Sequence, residues 1–402
     1  MMIAGHQVDD AMFSYIASNI DADTCKLLLK AEPSLSFDKS FAILQIECRR
    51  KAKNKIPELL AYDHFLFPKA ISAEQCTHQL VARFHASLFH GNKRVLDMTM
   101  GLGVDDFYIS QYVKELTAVE IDPEIADVGK HNFAFLASNV NVINADSVNY
   151  LAQLGRNEHF DTIFIDPARR GDGGKRLYSF ADCLPNVLEL VPSIKLHSKR
   201  LLIKASPMLD LTQSMRELGE NLADVWAVSV KNECKELLFG LDFEKIKDSV
   251  SLHALNHDGN MWQHFSAQST VEFAPLPSPV TADAQFLYEP NASIMKLGCY
   301  STVEQAYELP MLSSNSHLLI SNHKINDFPG REFRILEIIP FKSKEIKLLK
   351  KRYPQANVAT RNFRISADAL KKRLGVQDGG ITYLFATTLS SGEQVLFICE
   401  KP

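Results

Sequence analysis

The sequence lacks three features: a membrane-spanning apolar run, a secretory signal peptide and a pair of cysteines spaced for metal binding. None of its apolar runs approaches the roughly 18 residues that a membrane-spanning helix needs. No basic segment precedes an apolar one at the N-terminus, so we expect no secretory signal peptide. The seven cysteines include no Cys-x-x-Cys pair, so we expect no zinc or dithiol site. These absences predict a cytoplasmic protein that binds neither membrane nor metal.

Basic charge is scarce outside the C-terminal region. The 402 residues contain 44 Lys and Arg against 48 Asp and Glu, a net charge of −4. Residues 331–402 alone hold 14 Lys and Arg against 7 Asp and Glu, so the rest of the chain is acidic. A basic stretch on an acidic protein is typical of a surface that docks a polyanion. An ordinary solvated surface is the alternative.

The first 245 residues predict a helical region and then alternating strands and helices. Residues 1–74 carry apolar residues at helical spacing, and a further amphipathic helix is expected from its N-cap Ser72 to residue 89. Seven strand candidates follow: RVLDM, ELTAVEI, NVNVINA, FDTIFID, RLLIKA, DVWAVSV and ELLFGLDF. The first five are short and apolar, as buried parallel strands are, and the last two predict an antiparallel hairpin at the sheet edge. Residues 75–245 are therefore predicted to form a doubly wound α/β domain.

The remaining residues predict two small α+β domains. A hairpin is expected around residues 257–260, and the proline-rich segment 273–283 is predicted to be a linker. From residue 331 the patterns predict a strand, a helix, a strand, a helix and a final hairpin. The predicted domains are residues 246–330 and residues 331–402.

The segment VLDMTMGLGVDD places two glycines after the first of the seven strands. Gly101 and Gly103 are separated by one residue, which lets a ligand approach the backbone. A dinucleotide site needs a third glycine for close packing of helix and strand, and Asp106 stands in its place. An acid at a helix N-terminus also repels a pyrophosphate. The pattern disfavours an NAD-dependent oxidoreductase and, with Asp97, Asp105 and Asp106 nearby, favours a cationic ligand such as S-adenosylmethionine.

Acidic residues also follow the next three strands. Glu120 could accept both hydroxyls of a ribose, as an NAD site would also require, and Asp146 could accept an adenine amino group. Asp166 ends the fourth strand. Because the carboxyl ends of parallel strands meet at one edge of a sheet, we expect these side chains to lie together at a ligand site. Simple capping of a helix or a strand end is the alternative for each acid.

Four segments in order resemble the motifs of class I S-adenosylmethionine-dependent methyltransferases: VLDMTMGLGVDD, AVEIDP, NADSVNYL and FDTIFIDPARRG. The resemblance covers about residues 75–243 and implies a Rossmann-like, seven-stranded methyltransferase sheet with S-adenosylmethionine as cofactor. It implies that Asp97, Gly101 and Gly103 cradle the amino-acid end of the cofactor. Glu120 would hold the ribose and Asp146 the adenine. The full set of implied cofactor contacts is Asp97, Met98, Gly101, Gly103, Asp105, Glu120, Ile121, Asp146 and Ser147.

The segment Asp166-Pro167-Ala168-Arg169 stands where amino-methyltransferases carry Asp or Asn, two prolines and an aromatic residue. In that motif the acid or amide oxygen and a backbone carbonyl accept the hydrogens of an exocyclic amine, and the aromatic ring stacks on the base. Ala168 and Arg169 depart from the motif, although arginine can also stack on a base or contact a phosphate. The resemblance therefore implies Asp166, Pro167 and Arg169 as catalytic residues and nitrogen as the methylated atom.

The same segment also resembles a motif of the RNA uridine C5-methyltransferases, which need a cysteine nucleophile after the fifth strand. The matching position is Ala205, so that mechanism is rejected. Lys204 precedes it at the end of the fifth strand. This lysine could contact a phosphate or a base carbonyl, or it could be an ordinary surface lysine.

The C-terminal domains resemble an RNA-docking module. Residues 246–330 resemble a ferredoxin-like domain and residues 331–402 a THUMP domain, a pair that usually precedes the methyltransferase domain in tRNA-modifying enzymes. The resemblance implies RNA binding through 331–402 and through the basic, glycine-rich loop 169–180. The predicted function is methyl transfer from S-adenosylmethionine to a nitrogen of an rRNA or tRNA base. The alternatives are a methyltransferase of DNA, protein or a small molecule, and a non-catalytic RNA-binding protein that keeps the fold.

Overall fold

The computed structural model describes residues 1–30, 35–169, 179–270, 273–276 and 283–402, without the side chains of Arg169 and Lys347. Contacts divide the chain into two compact units. The first comprises Met1–Ala223 and Leu238–Lys247, and the second comprises Asp224–Leu237 and Asp248–Pro402. No helix in the described ranges is long and apolar enough to cross a membrane. Every predicted catalytic or cofactor-binding residue falls in the first unit.

The first unit begins with a short hairpin and six helices. The hairpin strands are β1 (Met2–Ile3) and β2 (His6–Gln7), and the helices are α1 (Asp10–Ser18), α2 (Thr24–Leu29), α3 (Lys39–Ala52), α4 (Pro57–Leu60), α5 (Ala70–Gln75) and α6 (Gln79–Ser87). Asp9, Asp23 and Asp38 cap the first three helices by accepting hydrogen bonds from backbone N–H groups of the first turn. The predicted helical character of this region is confirmed.

The single helix predicted to start at Ser72 is wrong. Ser72 lies inside α5, and residues 76–78 interrupt the helix before α6 begins. The break arises because the His78 ring accepts a hydrogen bond from Leu80 N at 3.2 Å and so caps α6. It also places Thr77 between the two helices, where its hydroxyl donates to Asp105 at 2.6 Å.

Five parallel strands form the sheet of the first unit: β3 (Arg94–Asp97), β4 (Glu115–Glu120), β5 (Val140–Asn144), β6 (Phe160–Ile165) and β9 (Ser198–Ala205). Their order is β9-β6-β3-β4-β5, and the last half of β11 (Glu233–Asp242) lies beside β9. The intervening helices are α7 (Val104–Ile109), α8 (Pro123–Leu136), α9 (Ser147–Gln153), α10 (Val187–His197) and α11 (Leu211–Leu218), and a separate strand pair joins β7 (Ala168–Arg169) to β8 (Cys183–Leu184). Parallel strands alternating with helices confirm the predicted doubly wound sheet.

Strands β10 (Leu222–Val230) and β11 complete the seven predicted strands, but β10 is not at a sheet edge. Its residues 224–230 pair in parallel with β12 (Ser251–His257), so the predicted edge position is wrong. β10 and β11 are neighbours joined by Lys231 and Asn232, whose positive φ angles of 52° and 62° suit a two-residue hairpin turn. The turn is as predicted, and a further strand covers what would have been the edge.

The second unit adds the predicted hairpin of β12 with β13 (Trp262–Gln268) and a six-stranded sheet in the order β15-β14-β16-β19-β18-β17. Its strands are β14 (Phe286–Pro290), β15 (Leu319–Ser321), β16 (Gly330–Pro340), β17 (Asn357–Thr360), β18 (Thr382–Thr388) and β19 (Gln394–Glu400), and its helices are α12 (Ala292–Leu297), α13 (Tyr300–Ala306), α14 (Ser343–Arg352) and α15 (Ala367–Leu374). The order predicted from residue 331 onward is confirmed. Strand β14 pairs with both β15 and β16, so one sheet spans residue 330, and the predicted domain limit there stays a prediction. Residues 277–282 of the predicted linker lie outside the described residues.

A buried, irregular segment packs between the helical region and α8. The Gln45 side chain of α3 accepts a hydrogen bond from Phe67 N at 2.8 Å and donates one to Phe67 O at 2.9 Å. From the other side, the Asn132 side chain of α8 accepts from Leu66 N at 3.0 Å and donates to Leu66 O at 2.9 Å. Two amide side chains thus replace the strand partners that a buried extended backbone needs.

Gln45→Leu should lower the free energy of unfolding by about 2 to 4 kcal/mol, because the buried N–H and C=O of Phe67 would lose their partners. Urea unfolding followed by circular dichroism measures this change. Gln153→Leu, at the exposed end of α9, is the matched control and should change the free energy of unfolding by less than about 0.5 kcal/mol. Equal stability of Gln45→Leu and wild type would contradict this role of the amide.

Candidate active site

The loop between β3 and α7 turns sharply at two glycines. Gly101 and Gly103 have positive φ angles of 57° and 77°, and Gly103 is the left-handed residue that precedes α7. A Cβ atom at Gly103 would lie 2.7 Å from the Phe133 ring, closer than side-chain atoms pack. Because Phe133 belongs to α8, the glycine allows the loop and this helix to approach each other. Both glycines are therefore needed for the shape of the loop.

The Glu120 carboxylate is fixed against this loop. One oxygen accepts a hydrogen bond from Gly101 N at 2.9 Å, and the other accepts one from Asp122 N at 2.9 Å. The side chain is buried at the carboxyl end of β4. Each carboxylate oxygen can accept a further hydrogen bond, so the group suits a pair of ligand hydroxyls.

Apolar side chains are exposed beside Glu120. Ile121, the next residue, is 66% exposed, and Val148 in the first turn of α9 is 39% exposed. Asp146 caps α9, accepting hydrogen bonds from two N–H groups of its first turn at 2.8 and 3.0 Å, and Ser147 is the first helical residue. Helix capping is therefore one role of Asp146. The two exposed side chains offer an apolar surface to a planar ring, and Val148 was not among the predicted contacts.

Asp97 lies beneath the glycine loop and organises it. It is 1% exposed, and its Oδ1 accepts hydrogen bonds from Thr99 N at 2.7 Å and from the Thr99 hydroxyl at 3.3 Å. The Thr99 oxygen in turn accepts a hydrogen bond from Asp166 N at 2.7 Å. Met98, which lies between Asp97 and Thr99 in the sequence, is buried, and its N–H donates to Phe164 O at 3.0 Å. Hydrogen bonds from Asp97 through Thr99 to Asp166 thus connect the loop to the segment that follows β6, and the sequence analysis did not predict Thr99.

Burial changes the charges of the acids below the loop. It raises the pKa of Asp97 to about 7. Burial also raises the pKa of Asp106 well above its usual value, and the charges of Asp97 and Asp105 add to the effect. Both carboxyl oxygens of Asp106 are buried without a hydrogen-bond donor in the described part of the chain, so its neutral form is favoured. Asp106 is thus desolvated, and its contribution to binding a cationic ligand stays a prediction.

Asp105 faces a different, buried network. Its Oδ1 pairs with His85 Nδ1 at 2.7 Å, and its Oδ2 accepts from the Thr77 hydroxyl at 2.6 Å and from Lys204 at 3.5 Å. Burial acts to raise the pKa of Asp105, but the charges of Lys204 and His85 and these hydrogen bonds hold it below its usual value. Both oxygens are thereby engaged within the protein, whereas the prediction placed Asp105 against the cofactor. The sequence analysis did not predict His85. A polar residue on the otherwise apolar face of α6 could have indicated its buried ion pair.

Asp166 is the half-exposed acid of the site. Its side chain is 42% exposed, and its Oδ2 pairs with Lys204 Nζ at 2.7 Å. Pro167 beside it is half-buried. The backbone of Arg169 belongs to β7, but its side chain and residues 170–178 of the predicted basic loop lie outside the described residues. Asp166 is therefore partly open to solvent beside the glycine loop.

Gly103→Ala should lower the free energy of unfolding by about 2 to 4 kcal/mol, because a clash with the Phe133 ring adds to the strain of a left-handed residue. Gly298→Ala is the matched control, since Gly298 is also a left-handed residue, with a φ of 71°, but nothing lies within 4 Å of an added Cβ. The control should cost about 1 kcal/mol. Chemical denaturation measures both variants, and equal losses would show that the contact with α8 contributes nothing.

Asp97→Asn should flatten the pH dependence of stability between about pH 5 and pH 7. The folded protein holds the Asp97 proton up to about pH 7, whereas an unfolded chain releases it at about pH 4. In this range the folded state therefore binds more protons, and wild-type stability falls as pH rises, by up to about 1.4 kcal/mol per pH unit from this group. The asparagine variant lacks this contribution. Denaturation at several pH values measures the difference, and parallel profiles would contradict a buried, protonated Asp97.

Three known families match parts of the chain. Residues 82–175 match the family described as conserved hypothetical protein 95. Residues 286–329 match a ferredoxin-like domain, and residues 330–401 match the family described as THUMP domain-like. The first match contains the glycine loop and the acids at the ends of β4 and β6. The other two confirm the resemblances predicted for the C-terminal part.

Two relatives are methyltransferases by name. An uncharacterized S-adenosylmethionine-dependent methyltransferase of Mycobacterium tuberculosis is 21% identical over 352 residues, which are 86% of this chain and 91% of the relative. An uncharacterized RNA methyltransferase of Mycoplasma mobile is 37% identical over 81 residues, which are 20% of this chain and 22% of the relative. The first similarity thus extends over most of both chains and the second over a short segment.

A solved structure resembles the whole chain. The crystal structure of a candidate methyltransferase from Porphyromonas gingivalis W83 is 27% identical, and the match covers 100% of both chains with a TM-score of 0.88. Its similarity therefore includes the sheet that carries the glycine loop and the domains that follow it. The predicted resemblance to S-adenosylmethionine-dependent methyltransferases is confirmed, and the matches to a ferredoxin-like and a THUMP-like domain follow the methyltransferase-like part of the chain.

Proposed function

We propose that the protein transfers a methyl group from S-adenosylmethionine to a nitrogen of an RNA base. It is an S-adenosylmethionine-dependent methyltransferase, which is also how its Mycobacterium tuberculosis relative is named. The proposal of the acceptor is supported by Asp166, whose carboxylate is half-exposed and whose backbone N–H donates a hydrogen bond to Thr99 of the glycine loop. An acid held in this place can orient a base amine toward a methyl donor bound at the loop.

The residues around the glycine loop suit S-adenosylmethionine. Glu120 would accept the ribose hydroxyls, because backbone N–H groups already fix both of its oxygens. Ile121 and Val148 would cover the adenine ring, and Asp146 would accept its amino group. When bound, S-adenosylmethionine supplies a methyl group on a positively charged sulfur. The proposed contacts are Met98, Gly101, Gly103, Glu120, Ile121, Asp146 and Ser147, with Asp97 acting through Thr99.

The acceptor base would lie against Asp166 and Pro167. Lys204 occupies Oδ2 of Asp166, so Oδ1 is the oxygen that would accept one amine hydrogen. The Pro167 carbonyl would accept the second, and Arg169 would contact the base or a phosphate. Orientation of this kind, rather than a covalent intermediate, would supply most of the rate.

Nitrogen suits this site better than a ring carbon. Methylation of a pyrimidine at C5 needs a cysteine nucleophile, and Ala205 stands at the expected position at the end of β9. Burial raises the pKa of Cys234, one of the two nearest cysteines in the sequence, to about 11, so its thiolate is scarce at neutral pH. Direct transfer to an amine needs no such nucleophile.

RNA is the acceptor that the C-terminal domain favours. Residues 330–401 match the THUMP domain-like family, and the Mycoplasma mobile relative is named an RNA methyltransferase. Helices α14 and α15 end in basic turns, at residues 350–352 and 371–373. Basic side chains grouped in this way suit contacts to the phosphates of a nucleic acid.

Asp166→Ala should abolish methyl transfer and leave S-adenosylmethionine binding within about twofold, because Asp166 faces the acceptor rather than the cofactor. The experiment measures tritiated methyl transfer to total RNA and total DNA from cells that lack the gene, and calorimetry measures cofactor binding. Asp21→Ala, which changes an exposed acid between α1 and α2, is the matched control and should keep wild-type transfer.

Label in an RNA fraction that disappears with Asp166→Ala is the expected result. Label in DNA alone would overturn RNA as the acceptor and keep the methyltransferase. Retained transfer by Asp166→Ala would remove Asp166 from the mechanism. Label in neither nucleic acid, despite cofactor binding, would identify a protein or small molecule as the acceptor class to test.

A further inference from the structure

The Lys204 ammonium lies between two carboxylates at the end of β9. Its Nζ is 2.7 Å from Asp166 Oδ2 and 3.5 Å from Asp105 Oδ2. It also donates a hydrogen bond to the Thr77 hydroxyl at 2.8 Å. An ammonium group has three N–H donors, and these three contacts can use all of them. Only 12% of the Lys204 side chain is exposed, so it is not an ordinary surface lysine. Its contacts favour a role inside the site over the predicted contact with a phosphate.

The two carboxylates depend on Lys204 to different degrees. Asp105 is 12% exposed and has two further partners, His85 Nδ1 at 2.7 Å and the Thr77 hydroxyl at 2.6 Å. Asp166 is 42% exposed, and within the described ranges Lys204 is the one cation paired with its side chain. Loss of the Lys204 charge would therefore release the Asp166 carboxylate more than that of Asp105.

The main chain of Asp166 is fixed separately from its side chain. Its N–H donates to the Thr99 oxygen at 2.7 Å, and the Thr99 hydroxyl donates to Asp97 at 3.3 Å. Thr99 thus sets the position of the Asp166 backbone, and Lys204 sets the rotation of its carboxylate. Since Oδ2 is held by Lys204, Oδ1 is the oxygen that can meet an acceptor.

We propose that Lys204 is a positioning residue for methyl transfer, whose charge holds the Asp166 carboxylate so that its other oxygen meets the acceptor amine. This inference rests on the proposed function. Lys204 acts through Asp166 and does not touch the substrate. The charge is needed because its partner is a carboxylate. An asparagine at position 166 would offer a carbonyl oxygen to the amine without needing a counter-charge.

A double-mutant cycle between positions 204 and 166 tests this role. It compares wild type, Lys204→Met, Asp166→Asn and the double variant, because methionine keeps much of the side-chain length and removes the charge. Lys204→Met should lower kcat about 100-fold, the order of loss expected when a reacting group is misplaced. Its KM for RNA and its Kd for S-adenosylmethionine should stay within about threefold of wild type. In the Asp166→Asn background the same change should alter kcat by less than about threefold.

The outcomes separate this inference from the proposed function. Equal losses in both backgrounds would show that Lys204 acts through Asp105 or the fold, and would overturn the inference alone. A wild-type protein that binds S-adenosylmethionine but methylates no RNA would overturn the proposed function and the inference with it. Thr77→Val keeps the Lys204 charge and removes one of its anchors, so it serves if Lys204→Met does not fold. It should lower kcat several-fold with Asp166 present and leave Asp166→Asn unchanged.

Crystal structures test the positioning role of Lys204 if methyl transfer by Asp166→Asn is too slow to measure. In Lys204→Met the Asp166 carboxylate should rotate away from its wild-type position, while Asp105 stays paired with His85. An unmoved Asp166 carboxylate in a folded Lys204→Met variant that has lost transfer would contradict the positioning role.

Discussion

The hydrogen bond from Asp166 N to the Thr99 oxygen holds the candidate site together. At 2.7 Å it connects the segment after β6, where we propose that the acceptor binds, to the glycine loop after β3. The bond can form because these strands are parallel neighbours, with Asp97 opposite Phe164 in register. Asp97 in turn fixes Thr99 by accepting hydrogen bonds from its N–H and its hydroxyl. A methyl donor at the loop and an acceptor at Asp166 would thus keep a set separation, which direct transfer requires.

Burial gives the acids at this edge of the sheet different tasks. Asp97 and Asp106 are enclosed, and burial raises the pKa of each carboxyl group. Asp105 is enclosed too, yet Lys204 and His85 keep its pKa low. Asp166, in contrast, stays partly open to solvent. The acidic cluster is therefore not a uniform negative surface: its members support the loop, anchor Lys204 or, in the case of Asp166, reach solvent where we propose that the acceptor binds.

Local patterns in the sequence predicted the strands, the order of the motifs that follow them and the glycine loop. Apolar runs and closely spaced glycines can be recognised within a few residues. They also placed Gly101, Glu120 and Asp166 at one edge, since parallel strands end together. The contacts that join these residues could not be predicted in the same way. Lys204 and Thr77 are 127 positions apart, and Asp166 and Thr99 are 67 apart, so no spacing rule links them.

Mass spectrometry of nucleosides from RNA of cells with and without the gene tests the central claim most directly. Each class of RNA is purified, digested and compared between the two strains. We predict that one nucleoside methylated on a base nitrogen is absent without the gene and returns when the gene is restored. An unchanged set of modified nucleosides in every RNA class would contradict it.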